Sequence, residues 1–166
     1  LSDSHVQAIL DAAPGPIRWI FVTHTHKDHP PAAQALKART GAALLGMAAL
    51  HAEWQDTGFQ PDVPLRGSEV FQLPGDSTLR VIHTPGHASN HLCYLLEEEQ
   101  LLFTGDHVMQ SSTVVINPPD GDMATYLASL ERLKTLRPRL KAIAPGHGHL
   151  IDTPLATIDA TIEHRL

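Results

Sequence analysis

The sequence predicts an α+β domain, in which short strands and amphipathic helices follow one another along 166 residues. Four apolar runs have the length and composition of strands, and each leads into a histidine or an aspartate at a turn. A long amphipathic helical pattern opens at Asp122, keeps leucines on one face and stops at Pro138. A chain of this length suffices for a buried core, so residues 1–166 are predicted to form one domain.

In the N-terminal part, two helices and two strands are predicted. The elements are a helix capped by Ser2 or Asp3, a strand over 17–22, a helix over 31–39 and a strand over 42–45. Residues 46–69 show no sustained periodicity. Within them, Met47, Leu50 and Trp54 are spaced for a helical turn, and residues 60–64 are expected to form a loop because they contain two prolines.

The C-terminal part is predicted to alternate strands and turns before it ends in helices. The strands are predicted over 79–82, 92–96, 101–104 and 142–144, and the last helix opens at Thr153 and Pro154. Cys93, the one cysteine, lies in the second of these strands. We expect it to be a small buried core residue rather than a nucleophile, and a lone cysteine excludes an internal disulfide.

A cluster of metal-ligand side chains follows the first strand. His24, His26, Asp28 and His29 lie within six residues, directly after the apolar run. Side chains two apart in an extended segment point the same way, so His24 and His26 can share one ion. Asp28 and His29 come after a turn and suit a second ion. Imidazoles with carboxylates and no thiol favour zinc, with iron or manganese as alternatives. Taken alone, the pattern would also suit a solvated, histidine-rich loop.

Three further strand-like runs end in the same manner. His87 closes a TPGH motif, Asp106 closes a TGD motif and His147 closes a PGH motif. The glycine beside each ligand lets the backbone turn sharply and approach a bound ion closely. Four strand ends that carry such side chains rarely arise by chance, which weakens the loop interpretation.

In this order, the H-x-H-x-D-H, TPGH, TGD and PGHG motifs of residues 23–149 resemble the metallo-β-lactamase superfamily. Residues 103–109 and 117–123 are most similar to its beta-lactamase-like protein 2 group. The resemblance implies two packed β-sheets flanked by helices, an αββα sandwich. That fold usually has a β-rich segment before its first ligand motif, whereas only 23 residues precede His24 here. We therefore expect a partial domain, incomplete at the N-terminus and, because residues 162–166 stop within a helical pattern, at the C-terminus also.

The resemblance also implies a dinuclear metal site. The implied ligands are His24, His26 and His87 for the first zinc ion, Asp28, His29 and His147 for the second, and Asp106 as a bridge. Asp106 and Asp28 would be the catalytic carboxylates of a hydrolase that uses a hydroxide held between the ions. A bridging aspartate looks like glyoxalase II, tRNase Z and the lactonases rather than the β-lactamases proper. The superfamily's frequent DHGG is replaced by DHPP at 28–31, which makes transfer from glyoxalase II less direct.

Two further histidines are candidates for a supporting role. His107 directly follows the bridging aspartate and could be a hydrogen-bond donor or a proton shuttle. His91 lies four residues after His87 and could contact substrate. Since adjacent strand residues point to opposite faces, a hydrogen-bonded structural histidine is the simpler interpretation of both.

Charge and hydropathy restrict the partners. The formal net charge of −6 disfavours a broad nucleic-acid surface. A local basic run comprises Arg132, Lys134, Arg137, Arg139 and Lys141. The run is compatible with RNA binding, but part of it lies at the end of a predicted helix, where the helix dipole favours cations in any case. No apolar run approaches the roughly 18 residues that span a membrane. A cytoplasmic location without membrane partners is expected.

Three functions remain open from the sequence. Resemblance to the beta-lactamase-like protein 2 group implies a dinuclear zinc hydrolase that cleaves single-stranded RNA. The alternative is a hydrolase of a small thioester, lactone or other acyl substrate, which the small number of aromatic residues available for base stacking favours. The third is a non-enzymatic, metal-stabilised binding domain. Metal content separates them, since two ions with an open position indicate an enzyme and one saturated ion indicates a scaffold.

Overall fold

Two β-sheets pack against each other in the computed structural model, which describes residues 2–166. The first sheet has three parallel strands: β1 (Trp19–Phe21), β2 (Ala43–Gly46) and β3 (Val63–Pro64). The second has five strands, in the order β4 (Val70–Leu73), β5 (Ser77–His83), β6 (Leu92–Leu96), β7 (Leu101–Gly105) and β8 (Ala142–Pro145). Strands β4 to β7 are antiparallel, and β8 joins β7 in parallel.

Helices lie on the outer side of each sheet, which completes the αββα sandwich that the sequence predicts. The helices are α1 (Asp3–Ala12) and α2 (Pro30–Thr40) beside the first sheet, and α3 (Met123–Lys134) and α4 (Pro154–Arg165) beside the second. Asp122 caps α3 as predicted, because its carboxylate accepts a 2.7 Å hydrogen bond from the Thr125 backbone N–H. None of these helices of residues 2–166 is long and apolar enough to cross a bilayer.

Strand β6 shows how the sequence separates the core into layers. Leu92 and Tyr94 point between the two sheets, whereas Cys93 and Leu95 pack against α3 and α4. This alternation follows from the two-residue period of a strand that is buried on both faces. Cys93 is fully buried, and burial raises the pKa of its thiol to about 12, so its predicted role as a core residue is confirmed.

Two predictions for the N-terminal part are wrong. Strand β1 has three residues instead of six and is only half-buried, with Trp19 40% exposed, because β1 is an edge strand that pairs with β2 alone. No helical turn forms around Leu50 and Trp54, which are 82% and 61% exposed. Their apolar side chains face outward, and the short strand β3 takes the place of part of the predicted loop.

Candidate metal centre

The polar side chains singled out by the sequence meet at one edge of the two sheets. His24 and His26 follow β1, and His29 occupies the N-cap position of α2 without a side-chain cap hydrogen bond. The Leu92 backbone N–H donates to the Thr23 carbonyl at 2.7 Å, which ties the loop after β1 to β6. In this way the segments around His87, Asp106 and His147, which follow β5, β7 and β8, are held beside that loop.

The seven predicted ligands converge as two neighbouring groups. The first cluster consists of His24, His26 and His87, and the second cluster of Asp28, His29, Asp106 and His147. Within each cluster, one ligand atom of each residue lies within 4.8 Å of the others. In the first cluster, the ring centroids are 4.5 to 4.9 Å apart.

Asp106 lies between the two clusters. Its Oδ2 is 3.8 Å from His87 Nε2 and 3.5 Å from His29 Nε2, and its Oδ1 is 3.5 Å from His147 Nε2. Gly146 leaves room for this carboxylate, since a Cβ there would lie 2.6 Å from Asp106 Oδ1. The two oxygens of one side chain therefore face both clusters.

Four of the donor atoms fit metal binding because they are buried and have no hydrogen-bond partner. His24 Nε2, His29 Nε2, His87 Nε2 and Asp106 Oδ1 have no hydrogen-bond partner, although buried polar atoms nearly always have one. The other ring nitrogens of two of these histidines are engaged. His24 Nδ1 lies 3.1 Å from Thr23 Oγ1, and His87 Nδ1 donates to the Val115 carbonyl at 2.7 Å. Such contacts fix ring orientation and leave Nε2 free for an ion.

The electrostatics of the first cluster favour neutral imidazoles, the form that binds metal. Burial lowers the pKa of His24 well below its usual value, and the neighbouring histidines lower it further. Burial, with a contribution from His87, lowers the pKa of His26, and burial lowers that of His87.

The second cluster has the opposite balance. Burial would lower the pKa of His29, but the Asp106 carboxylate beside it raises that pKa above its usual value. Burial would raise the pKa of Asp106, and the neighbouring histidines, His29 first, hold it below its usual value instead. In the metal-free chain, His29 and Asp106 therefore stabilise each other's charged forms.

An open cavity of about 370 Å³ gives access to both clusters. Its lining includes the clusters' His26, Asp28, His87 and Asp106, together with Lys27, Trp54, Val115 and Asn117. Trp54 and Val115 are more than half exposed, and they form an apolar wall beside the polar centre. Trp54 also has a φ of 67°, a left-handed conformation that is rare for a bulky residue and often marks a functional site.

The additional histidines lie behind the centre rather than in the cavity. His91 is fully buried and its Nδ1 lies 2.9 Å from Thr84 Oγ1, which agrees with a hydrogen-bonded structural histidine and not with the alternative of a substrate contact. His107 is also fully buried, stacks near Tyr126, and burial lowers its pKa to about 3. Its ring is screened from the cavity because the chain turns after Gly105 and directs the side chain into the core.

The family model described as the metallo-beta-lactamase superfamily matches residues 2–147, and the chain belongs to this superfamily. It is 36% identical over 149 residues to the lactamase-like protein aptB of Emericella nidulans, covering 90% of this chain and 44% of that protein. It is 35% identical over 150 residues to thioesterase pkgB of the same organism, covering 90% of this chain and 40% of that protein. It is 32% identical over 149 residues to the atrochrysone carboxyl ACP thioesterase of Aspergillus fumigatus, covering 90% of this chain and 44% of that protein. The chain thus spans less than half the length of these relatives.

Solved structures share the fold. A metallo-beta-lactamase from Pontibacter korlensis superposes with a TM-score of 0.78 at 21% identity, over 98% of this chain and 75% of that one. TTHA1623, solved in a di-iron-bound form, has a TM-score of 0.72 at 25% identity, over 93% and 82%. The predicted superfamily is therefore confirmed. The beta-lactamase-like protein 2 subgroup stays a prediction, since the relatives named above are lactamase-like proteins and thioesterases.

Proposed function

We propose that this chain is a dinuclear metal-dependent hydrolase of acyl thioesters. The observation that carries the proposal is the cavity, in which two groups of metal-ligand side chains meet an apolar wall of Trp54 and Val115. Such a site offers a polar centre for a carbonyl group and an apolar surface for an acyl chain. Two of the relatives are thioesterases by name, which supports the same substrate class.

In this proposal, the clusters keep the ligand assignment that the sequence predicts. His24, His26 and His87 hold the first ion, Asp28, His29 and His147 hold the second, and Asp106 serves both. When bound, two such ions lower the pKa of a water molecule enough to supply a nucleophile at neutral pH, and they polarise the substrate carbonyl. The nitrogen and oxygen donors favour zinc, and iron is the alternative because the similar TTHA1623 was solved with two iron ions.

The chain's own side chains orient the substrate and move protons. The acyl group packs on Trp54 and Val115, and the exposed Asn117 amide donates a hydrogen bond to the carbonyl oxygen. Asp28 lines the same cavity with a carboxylate that is 62% exposed. It is placed to take a proton from the attacking water and return it to the leaving thiolate. Water and thioester are thereby converted into a carboxylic acid and a thiol.

The RNA interpretation has less support. In the basic run, Lys134 pairs with Asp159 at 2.6 Å and with Glu131 at 3.3 Å, and Arg137 donates to the Thr135 and Leu136 carbonyls. These cations stabilise α3 and its surroundings, which leaves less charge for a phosphate backbone. The scaffold interpretation is also less favoured, because the His147 and Asp28 side chains are more than half exposed and a structural ion is usually fully enclosed.

A panel of substrates tests the proposal. Purified, zinc-loaded chain is assayed on acyl thioesters, a lactone, a β-lactam and single-stranded RNA. We expect thioesters to give the highest kcat/KM, and we expect thioesters with long or aromatic acyl groups to exceed acetyl thioesters. Cleavage of RNA without thioester hydrolysis would overturn the substrate assignment. Loss of all activities on metal removal is expected, and full activity of the metal-free chain would overturn the mechanism.

A further inference from the structure

A buried carboxylate outside the two clusters, that of Asp120, links the segments that carry the first cluster. Asp120 is 6% exposed. Its Oδ2 accepts hydrogen bonds from Gln55 Nε2 at 2.8 Å and from the Ser89 backbone N–H at 3.1 Å, and its Oδ1 accepts from the Ser89 hydroxyl at 2.5 Å. Among residues 2–166, no lysine or arginine forms an ion pair with it. Three donors from two other segments therefore hold this charge.

One arm of the network leads to the loop that carries His24 and His26. Gln55, which donates to Asp120, uses its Oε1 to accept from the Thr25 hydroxyl at 2.6 Å. The neighbouring backbone reinforces this contact, since the Asp56 N–H donates to the Thr25 carbonyl at 2.6 Å and His26 forms a β-bridge with Gln55. Thr25 lies between the two histidines in the chain, so fixing it fixes the direction of both rings.

The other arm leads to the loop that carries His87. Ser89, which gives two hydrogen bonds to Asp120, is two residues after His87. The next residue, Asn90, closes the network because its Nδ2 donates to the Thr25 hydroxyl at 2.7 Å and to the Met47 carbonyl at 2.8 Å. Asp120 thus connects the loops of all three histidines of the first cluster.

A buried carboxylate without a cation is costly unless hydrogen bonds offset its lost hydration, and the three donors to Asp120 supply them. Gln55, Thr25 and Asn90 are nearly inaccessible to solvent, so water does little to screen the Asp120 charge. Removing the carboxylate would leave the Gln55 and Ser89 donors without an acceptor and would loosen both loops.

We propose that Asp120 is a positioning residue of the first metal site, which holds the loops of His26 and His87 in place. The proposal rests on the assignment of His24, His26 and His87 as metal ligands. It does not depend on the substrate, so it stands even if the chain acts on a compound other than a thioester.

Metal affinity tests this role directly. Stepwise zinc dissociation constants of the chain are measured by competition with a chromophoric chelator, and cadmium NMR assigns each ion by its donor set. Removing a residue that orients metal ligands typically weakens metal binding by about 10- to 100-fold, and we expect Asp120→Ala to do so for the first ion and to change the second ion's constant much less. Asp120→Asn should cause a smaller loss, because an amide retains the shape and one acceptor oxygen, although it loses the charge and the second acceptor.

Asp122→Asn is the matched control. Asp122 lies two residues away, and its exposed side chain caps α3 and contacts neither loop. Asparagine caps helices as well as aspartate does, and the backbone hydrogen bond from residue 122 to the Gly86 carbonyl is retained, so the variant changes only a carboxylate outside the network. It should leave both zinc constants unchanged. Circular dichroism of each metal-free variant reports folding; if Asp120→Ala does not fold, Asp120→Asn and Thr25→Val carry the test.

Three results would overturn parts of this account. A folded Asp120→Ala chain with wild-type affinity for the first ion would refute the positioning role. Equal weakening of both ions would also refute it, since a general loss of structure explains that result. A wild-type chain that binds no zinc would instead refute the metal assignment on which the proposed function depends.

Discussion

Replacing Asp106 removes the one side chain that faces both clusters. Its oxygens lie 3.5 to 3.8 Å from nitrogens of His29, His87 and His147, and its side chain is only 11% exposed. Asp106→Ala removes the charge and the donor atoms together. Asp106→Asn keeps the size of the side chain and one oxygen, so the pair separates the effect of charge from the effect of shape.

The size of the effect follows from these distances. A carboxylate and a unit charge about 4 Å apart attract each other by about 4 kcal/mol at an effective dielectric constant of 20. That energy corresponds to a change in rate of about three powers of ten. Water that enters the space left by the side chain reduces the size of this change. We therefore expect Asp106→Ala to lower turnover by about 10²–10³-fold, the range found when a preorganised charge-stabilising group is lost.

The fold should survive this change. Strands β7 and β8 pair through backbone hydrogen bonds next to Asp106, and Asp106 Oδ1 has no hydrogen-bond partner to lose. The free energy of unfolding of the metal-free chain should fall by no more than about 1–2 kcal/mol, because the mutual stabilisation of Asp106 and His29 is lost while the strand pairing remains. The zinc-loaded chain should lose part of its stabilisation by metal, because the stability that a bound ligand adds falls with the logarithm of its affinity.

One preparation of each variant suffices for the assay. Thioester turnover, bound zinc per chain and thermal unfolding with and without zinc are measured for wild type, Asp106→Ala and Asp106→Asn. Turnover in Asp106→Asn should lie near that of Asp106→Ala if charge is decisive. Wild-type turnover and two bound zinc ions in a folded Asp106→Ala chain would refute the bridging role.

Three further predictions concern the cavity wall, acid stability and a turn. Trp54→Ala should raise KM about 10-fold for long acyl thioesters and leave the KM of acetyl thioesters nearly unchanged. Leu150→Ala is the control, because Leu150 is exposed but lies outside the cavity lining. Equal effects of Trp54→Ala on both substrates would contradict the apolar wall. In the metal-free chain, burial lowers the pKa of His24 and His91 well below the usual value and that of His107 to about 3. As the pH falls below about 6.5, these histidines therefore become protonated in the unfolded chain before they do so in the folded chain. Denaturant titrations should show each of these three histidines lowering the free energy of unfolding by up to about 1.4 kcal/mol per pH unit as the pH falls, whereas His29, whose pKa is raised by Asp106, should give an opposite loss as the pH rises above about 6.5. Gly86→Ala should lower the melting temperature strongly, because φ is 140° and a Cβ would lie 2.3 Å from Tyr126 Cα, whereas Gly15→Ala, with no atom within 4 Å, should not.

The metal-ligand residues could be predicted because local sequence determines their positions. An apolar run that ends at a turn places a polar side chain at a strand end, and four such segments, three of them with a glycine in the turn, lead to one sheet edge. His24 and His87 needed no knowledge of distant contacts, since each follows its own strand. The cap of α3 at Asp122 is local for the same reason.

The surroundings of the site could not be predicted because they depend on contacts far apart in sequence. Gln55 and Asp120 are separated by 65 residues, and Ser89 and Asp120 by 31. Residues 46–69 lack a regular hydrophobic period, so the position of Trp54 is set by β-bridge and hydrogen-bond contacts of its neighbours. The three-residue length of β1 likewise depends on its single neighbouring strand.

Zinc titration of thioester turnover tests the central claim most directly. The chain is stripped of metal, zinc is added in steps, and the hydrolysis rate of a long-chain acyl thioester is measured at each step together with bound zinc. The two clusters predict that turnover continues to rise until two zinc ions are bound per chain and then stays constant. Turnover that is maximal at one bound zinc, or absent at two, would contradict a dinuclear thioester hydrolase.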